Sequence, residues 1–240
     1  MKTISAIAFA GLLLAGAAAP SLAISQVPQA GDDAISNPAM KGPDVIAFMG
    51  LKPGSKVADI VSGRFVRAES QAVGPKGKVY AVMPAEVIKA HAGVDAPLKA
   101  AAAAPGSNIV VSTDPINDTV LPKGLDVVFI RQNYHDLYDK FMGPANVPAF
   151  NKKVYDALKP GGVYVILDHA AVPGAPMQVT ETLHRIDVAR VKADMAAAGF
   201  KLDGESKVLA NPEDDHTKMV FNPAIRGKTD QFLLRFKKPK

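Results

Sequence analysis

Ionisable side chains gather where apolar runs end, and the densest group is Asn133-Tyr134-His135-Asp136, just after the run 125–130. An imidazole titrates near neutral pH, so His135 is suited to take a proton from an attacking nucleophile, with Asp136 holding the ring. The competing reading is a histidine that fastens its loop by hydrogen bonds. Tyr134 offers either a shelf for a planar ligand or a ring for the core. Asp59, Ser62 and Gly63 follow the run 57–60, Asp114 follows 108–112, and Asp168-His169 follows 163–167. Asp168 and His169 read either as groups lining a site or as a capped strand end. Asp214-Asp215-His216 reads as a lid or as a solvated loop.

His135, His169, His184 and His216, with nearby aspartates, supply nitrogen and oxygen donors for a metal. No pair has the H-x-x-x-H spacing that sets two ligands on one helical face, so the sequence assigns no metal and leaves convergence to the fold. The absence of cysteine excludes disulfides, thiolate metal sites and a cysteine nucleophile.

The elements that must position these residues alternate. Strands are expected at 56–61, 78–83, 108–112, 125–130, 163–167, 200–209 and 230–236. Helices are expected at 43–49, 64–73, 147–158 and 180–198, with an Ala-rich helical region at 84–104 interrupted near Gly93 and Pro97. Alternation of this kind builds a parallel sheet with right-handed crossovers. The last two strands are joined by roughly 20 residues without a helical pattern, which fits an antiparallel final strand. The expected fold is therefore α/β and Rossmann-like, with a mostly parallel seven-stranded sheet. Ligands of such sheets lie beyond the carboxyl ends of the strands, where all four groups above converge. G-x-G-x-x-G, which a nicotinamide site wants after the first strand, is missing.

The chain has 240 residues, 48% hydrophobic and 21% charged, enough for one globular domain. Residues 1–23 read as a cleaved signal peptide. Lys2 begins it, an apolar run covers 4–19, and small residues close it at Ser21 and Ala23. The run is shorter than the roughly 20 residues that span a bilayer, so no membrane attachment is expected after cleavage. Residues 24–42 read as an N-terminal arm and 43–240 as the domain. Export without disulfides suits a bacterial periplasm. The formal net charge of +5 forms no basic patch interleaved with aromatics, which argues against a nucleic-acid partner and leaves a small-molecule substrate. The oligomeric state is not legible.

Several motifs carry a resemblance. Lys52-Pro53-Gly54 precedes the first strand and Gly74-Pro75-Lys76-Gly77 enters the second. Asn133-Tyr134-His135-Asp136, Leu158-Lys159-Pro160-Gly161-Gly162 and Ala198-Gly199-Phe200 follow. Near the end stand Asn211-Pro212-Glu213-Asp214-Asp215-His216-Thr217, Arg226-Gly227 and Asp230-Gln231-Phe232. Together they resemble a group of exported class I S-adenosylmethionine-dependent methyltransferases of bacteria, over nearly all of the chain after residue 23. The resemblance implies methyl transfer to a small acceptor, with S-adenosylmethionine as cofactor. By it, Asp59, Ser62, Gly63, Glu86, Asp114 and Asn133 hold the cofactor, and His135, Asp136 and Tyr134 are catalytic. The alternative is a non-catalytic descendant that binds a ligand or partner in the same cleft.

Two departures from that group bear on the cofactor. The turn Ile60-Val61-Ser62-Gly63-Arg64-Phe65 has one glycine where relatives carry consecutive glycines, so Val61, Arg64 and Phe65 are expected to crowd the cofactor. The second strand ends in Met83-Pro84 where the group has an acid for the ribose hydroxyls, and Glu86 is left to reach back for that role.

Overall fold

The computed structural model describes residues 32–143 and 145–240. The expected signal peptide and the first part of the arm lie outside them. Strands β1 (Lys56–Ile60), β2 (Lys78–Val82), β3 (Ile109–Ser112), β4 (Leu125–Arg131), β5 (Leu158–His169), β6 (Lys201–Ser206) and β7 (Gln231–Lys237) form one sheet in the order β3-β2-β1-β4-β5-β7-β6. The pairings from β3 through β5 are parallel. β7 runs antiparallel to both β5 and β6, as the helix-free connection requires.

The central strands are apolar on both faces because helices cover both. Val57, Ala58 and Ile60 of β1 are buried, as are Leu125 and Val127–Ile130 of β4. Helices α1 (Gly42–Met49), α2 (Val66–Val73), α3 (Ala85–Ala90), α4 (Ala96–Ala103), α5 (Val147–Ala157), α6 (Val179–Leu183) and α7 (Val188–Ala197) supply the covering layers. At the end of α2, Gly74 takes φ +62° while its N–H bonds back to the Ser70 carbonyl, a stop that a side chain would strain.

Three elements differ from the sequence reading by more than two residues. The single helix expected over 180–198 is broken at His184, which has φ +52°. Beyond it Arg185 turns inward, and the Ile186 N–H bonds to the His169 carbonyl at 3.0 Å. Tertiary bonds to Arg185 outweigh helical periodicity here. β5 begins at Leu158 rather than at 163, with an irregularity where Leu125 and Val127 pair across it. β6 ends at Ser206, short of the expected 209.

The described part of the arm is pinned to the turn after β1. Asp32 pairs with Arg64 and Asp33 with Arg67, and the Ala34 N–H bonds to the Arg64 carbonyl at 2.9 Å. Among the described residues no helix is long and apolar enough to cross a membrane.

Candidate functional site

The strand order reverses between β1 and β4, and a cleft of about 230 Å³ opens beyond their carboxyl ends. Asp59, Ser62, Gly63, Met83 and Asn133 line it, together with Phe65, Phe129 and Arg131. Of the residues expected to hold a cofactor, four therefore meet in one place. Glu86 and Asp114 do not line the cleft. The Glu86 carboxylate accepts the Ile116 N–H at 3.1 Å and 3.2 Å, capping the short helix Ile116–Asp118. Its negative charge is held by that helix terminus and is turned away from the end of β2. Asp114 accepts the Ser112 hydroxyl at 3.0 Å on the exposed rim.

The turn after β1 bends without using its glycine. Val61 takes the left-handed conformation at φ +52°, which is costly for a β-branched residue. A Cβ on Gly63 would meet open space. The chain has moved the positive φ to a residue with a side chain, and Phe65 packs edge-on against Phe129 at 5.3 Å beneath the cleft. Crowding is thus inward, by Phe65, more than at the glycine itself. Gln132 repeats the device after β4, with φ +54°.

Buried charge concentrates under this turn. Asp59 is 3% exposed and accepts the Ser62 hydroxyl at 2.7 Å. Burial raises its pKa to about 7, against the bonds from Ser62 and Gly63 and the charge of Arg131. Glu69, on the inward face of α2, is fully buried, and neither carboxylate oxygen has a hydrogen-bond partner among the described residues. Burial, and then the charge of Asp59, push it well above the usual carboxylate range. Arg131 lies 5.8 Å over the Phe65 ring, and burial followed by the charge of Arg64 lowers it to about 10. Arg131 and Arg64 also line a neighbouring cavity of about 240 Å³, together with Phe221, Arg226 and Thr229. The sequence reading missed Arg131 and Glu69. Both carried a signal: a cation ending an apolar strand, and an acid at the helical spacing of buried Val66 and Val73.

The group after β4 is deeper than expected. His135 is 2% exposed and opens a short helix, His135–Tyr138. Its Nδ1 lies 2.8 Å from Asp168 Oδ1, and its Nε2 lies 3.1 Å from Asp136 Oδ1 and 3.3 Å from His184 Nδ1. Burial works against its charge, but the two carboxylates win and hold the ring protonated well above its ordinary range. Asp136 is correspondingly lowered: burial opposes ionisation, and His135, His184 and Asn133 overcome it. In this geometry His135 is clamped between Asp136 and Asp168 and fastens the loop after β4 to the end of β5. Asn133 donates to Asp136 Oδ2 at 2.6 Å, joining this cluster to the cleft. Asp168 is fully buried and accepts the backbone N–H groups of His135 and His169, at 2.9 Å and 2.8 Å.

Tyr134 is no ligand shelf. Its ring is fully buried away from the cleft, its hydroxyl donates to Asp194 of α7 at 3.1 Å, and it accepts from Asn151 of α5 at 2.9 Å. The apolar ring is driven into the layer between those helices and its polar tip is satisfied there. His169 lines the neighbouring cavity, bonded to the Thr229 hydroxyl at 2.8 Å, and burial lowers it to about 3. His216 bonds to Asp230 at 3.0 Å. Asp214 is neither lid nor solvated: it is buried against Arg185, whose guanidinium also donates to the Ala170 and Lys218 carbonyls.

Comparison with known proteins agrees with this geometry. No protein-family model matches the sequence, and no curated protein does. Among solved structures the chain is similar to a SAM-dependent methyltransferase from Aquifex aeolicus, at 21% identity and a TM-score of 0.55, over 81% of this chain and 88% of that one. It is similar to an S-adenosylmethionine-dependent methyltransferase from Mesorhizobium loti, at 16% identity and a TM-score of 0.55, over 82% and 97%. The YcgJ protein from Bacillus subtilis matches at 16% identity and a TM-score of 0.51, over 82% and 97%. The strand order, the antiparallel β7 and these likenesses together give the chain the Rossmann-like fold of the class I methyltransferases.

Proposed function

We propose that this protein transfers a methyl group from S-adenosylmethionine to a small acceptor, in the cleft between β1 and β4. The observation that carries the proposal is the meeting of Asp59, Ser62, Gly63, Asn133 and Arg131 at the point where the strand order reverses. The cofactor's sulfonium supplies an electrophilic methyl group. The residues fit its amino-acid end: Arg131 has no hydrogen bond or ion pair among the described residues and offers a cation to a carboxylate. They fit its ribose poorly, since Met83 is buried and apolar where two hydroxyls need an acceptor. Asn133, which lines the cleft, is held by its hydrogen bond to Asp136 behind it. We also propose that the protein acts in the periplasm after loss of residues 1–23.

The second reading is a cleft that binds a ligand without turnover, favoured by its small volume of about 230 Å³. Calorimetric titration with S-adenosylmethionine tests the first reading. A lost charge-assisted hydrogen bond costs roughly 1.5–3 kcal/mol, so a dissociation constant above about 100 μM is expected. Grafting a glycine-rich turn between Asp59 and Val66, with Met83→Asp, is expected to tighten binding. No binding even after the graft would remove the methyltransferase reading in favour of another ligand.

A further inference from the structure

We propose that His135, Asp136, Asp139 and His184 form a site for one divalent transition-metal ion, with zinc the best match. This is independent of methyl transfer. Each residue offers one ligand atom, and the four atoms lie within 4.8 Å of one another. Two elements bring them together: the turns after β4 carry His135, Asp136 and Asp139, and the left-handed break after α6 carries His184.

The spacing suits an ion better than hydrogen bonds alone. A tetrahedral ion with bonds of about 2.0–2.1 Å sets its ligand atoms about 3.3 Å apart. Three of the separations are 3.1 Å (His135 Nε2 to Asp136 Oδ1), 3.3 Å (His135 Nε2 to His184 Nδ1) and 3.7 Å (His184 Nδ1 to Asp136 Oδ1). One Nε2–H cannot be given to both neighbours; an entering ion would displace that proton to solvent, and a lone pair on each atom could then share the cation. Asp139 supplies an independent sign. It is 2% exposed, and its Oδ1 is buried with no partner among the described residues. A buried carboxylate needs a cation or donors.

The surroundings are those of ligands held in place. His135 Nδ1 meets Asp168 Oδ1 at 2.8 Å, which fixes the tautomer that presents Nε2 to a metal. Asp168 is itself held by two backbone N–H groups, and Asp136 by Asn133. Two imidazoles and two carboxylates favour zinc and its neighbours over the hard ions calcium and magnesium. Four protein ligands make a closed site, which would staple the β4 loop to the α6–α7 connection. His184 is half-exposed beside Phe221 and gives the ion its way in.

Tag-free protein stripped with a chelator is titrated with zinc chloride by calorimetry and melted with and without zinc. One equivalent is expected to bind, raising the melting temperature by about 5–10 °C at a hundredfold excess over Kd. Asp139→Asn and His184→Asn should each weaken zinc binding at least tenfold. Without metal, Asp139→Asn should melt at or above the wild-type temperature, because it removes a buried charge whose Oδ1 has no partner among the described residues. No zinc binding by the wild type, wild-type affinity in both variants, or a stronger response to magnesium would each overturn the site. A metal-free Asp139→Asn that melts lower would do so too, by showing that the carboxylate is already satisfied.

Discussion

Glu69→Gln is expected to stabilise this protein at neutral pH and to flatten its pH dependence. Glu69 is fully buried on α2, both oxygens lack partners, and burial raises its pKa well above the value of 4.5 that it has in the unfolded chain. The folded state therefore holds a proton that the unfolded state releases as pH rises. The stability this group contributes is complete below pH 4.5 and is lost as pH climbs toward its folded pKa. Each pH unit in that window costs about 1.4 kcal/mol. Glutamine has the same shape and does not titrate. Asp59, whose charge acts on Glu69, follows the same sign, between its ordinary 3.8 and about 7, so some slope remains in the variant. Arg131 is the nearby cation and, lowered only to about 10, stays charged in this range. Urea unfolding between pH 5 and pH 7 is the assay. Wild type should lose stability with rising pH, and Glu69→Gln should lose about 1.4 kcal/mol less per unit. Equal slopes would refute the reasoning, since Glu69 would then be ionised in the fold and partnered.

Three further outcomes follow from the site. His135→Ala removes the cation that Asp136 and Asp168 share, leaving two buried carboxylates, and is expected to cost about 3–5 kcal/mol in urea unfolding; an unchanged midpoint would show that His135 is free to act as a base. Arg185→Ala breaks a pair in which both side chains are at most 1% exposed, and should lower the melting temperature by on the order of 10 °C; a shift of a degree or two would mean that the loop reorganises around Asp214. Mass spectrometry of protein from its native host should find an N-terminus close to Ile24, and a chain still beginning at Met1 would refute export.

The fold was legible because its central strands write their environment plainly. The runs at 56–61 and 125–130 are apolar without alternation, which only a strand covered on both faces tolerates. The helix-free stretch before β7 likewise announced the antiparallel pairing. The site was legible only in part. Strand ends told which residues gather, so Asp59, Ser62, Gly63 and Asn133 fell together. Strand ends do not tell which way a side chain points. Tyr134 and His135 are neighbours in sequence, yet one enters the layer between α5 and α7 and the other turns under β5. His184 was hidden by a helical pattern that runs through the break it occupies, because the bonds that break the helix come from Asp214 and from the Ala170 and Lys218 carbonyls, remote in sequence or off the helix.

The location of the unfavourable features is itself an argument. Val61 and Gln132 hold left-handed backbone that costs on the order of 1–3 kcal/mol each, and both stand where a strand delivers its loop to the cleft. Asp59, Glu69, His135, Asp136, Asp139 and Asp168, all less than a tenth exposed, lie along the same end of the sheet. A chain without disulfides must balance these against its core alone. A fold under no demand but stability would replace such groups with apolar ones of the same shape. Perturbed and unpartnered charge gathered at one strand end is the pattern of a site in use. Asn133 lines the cleft and bonds Asp136, while Asp168 acts on the charge of Arg131, so the cleft and the histidine cluster are one electrostatic unit.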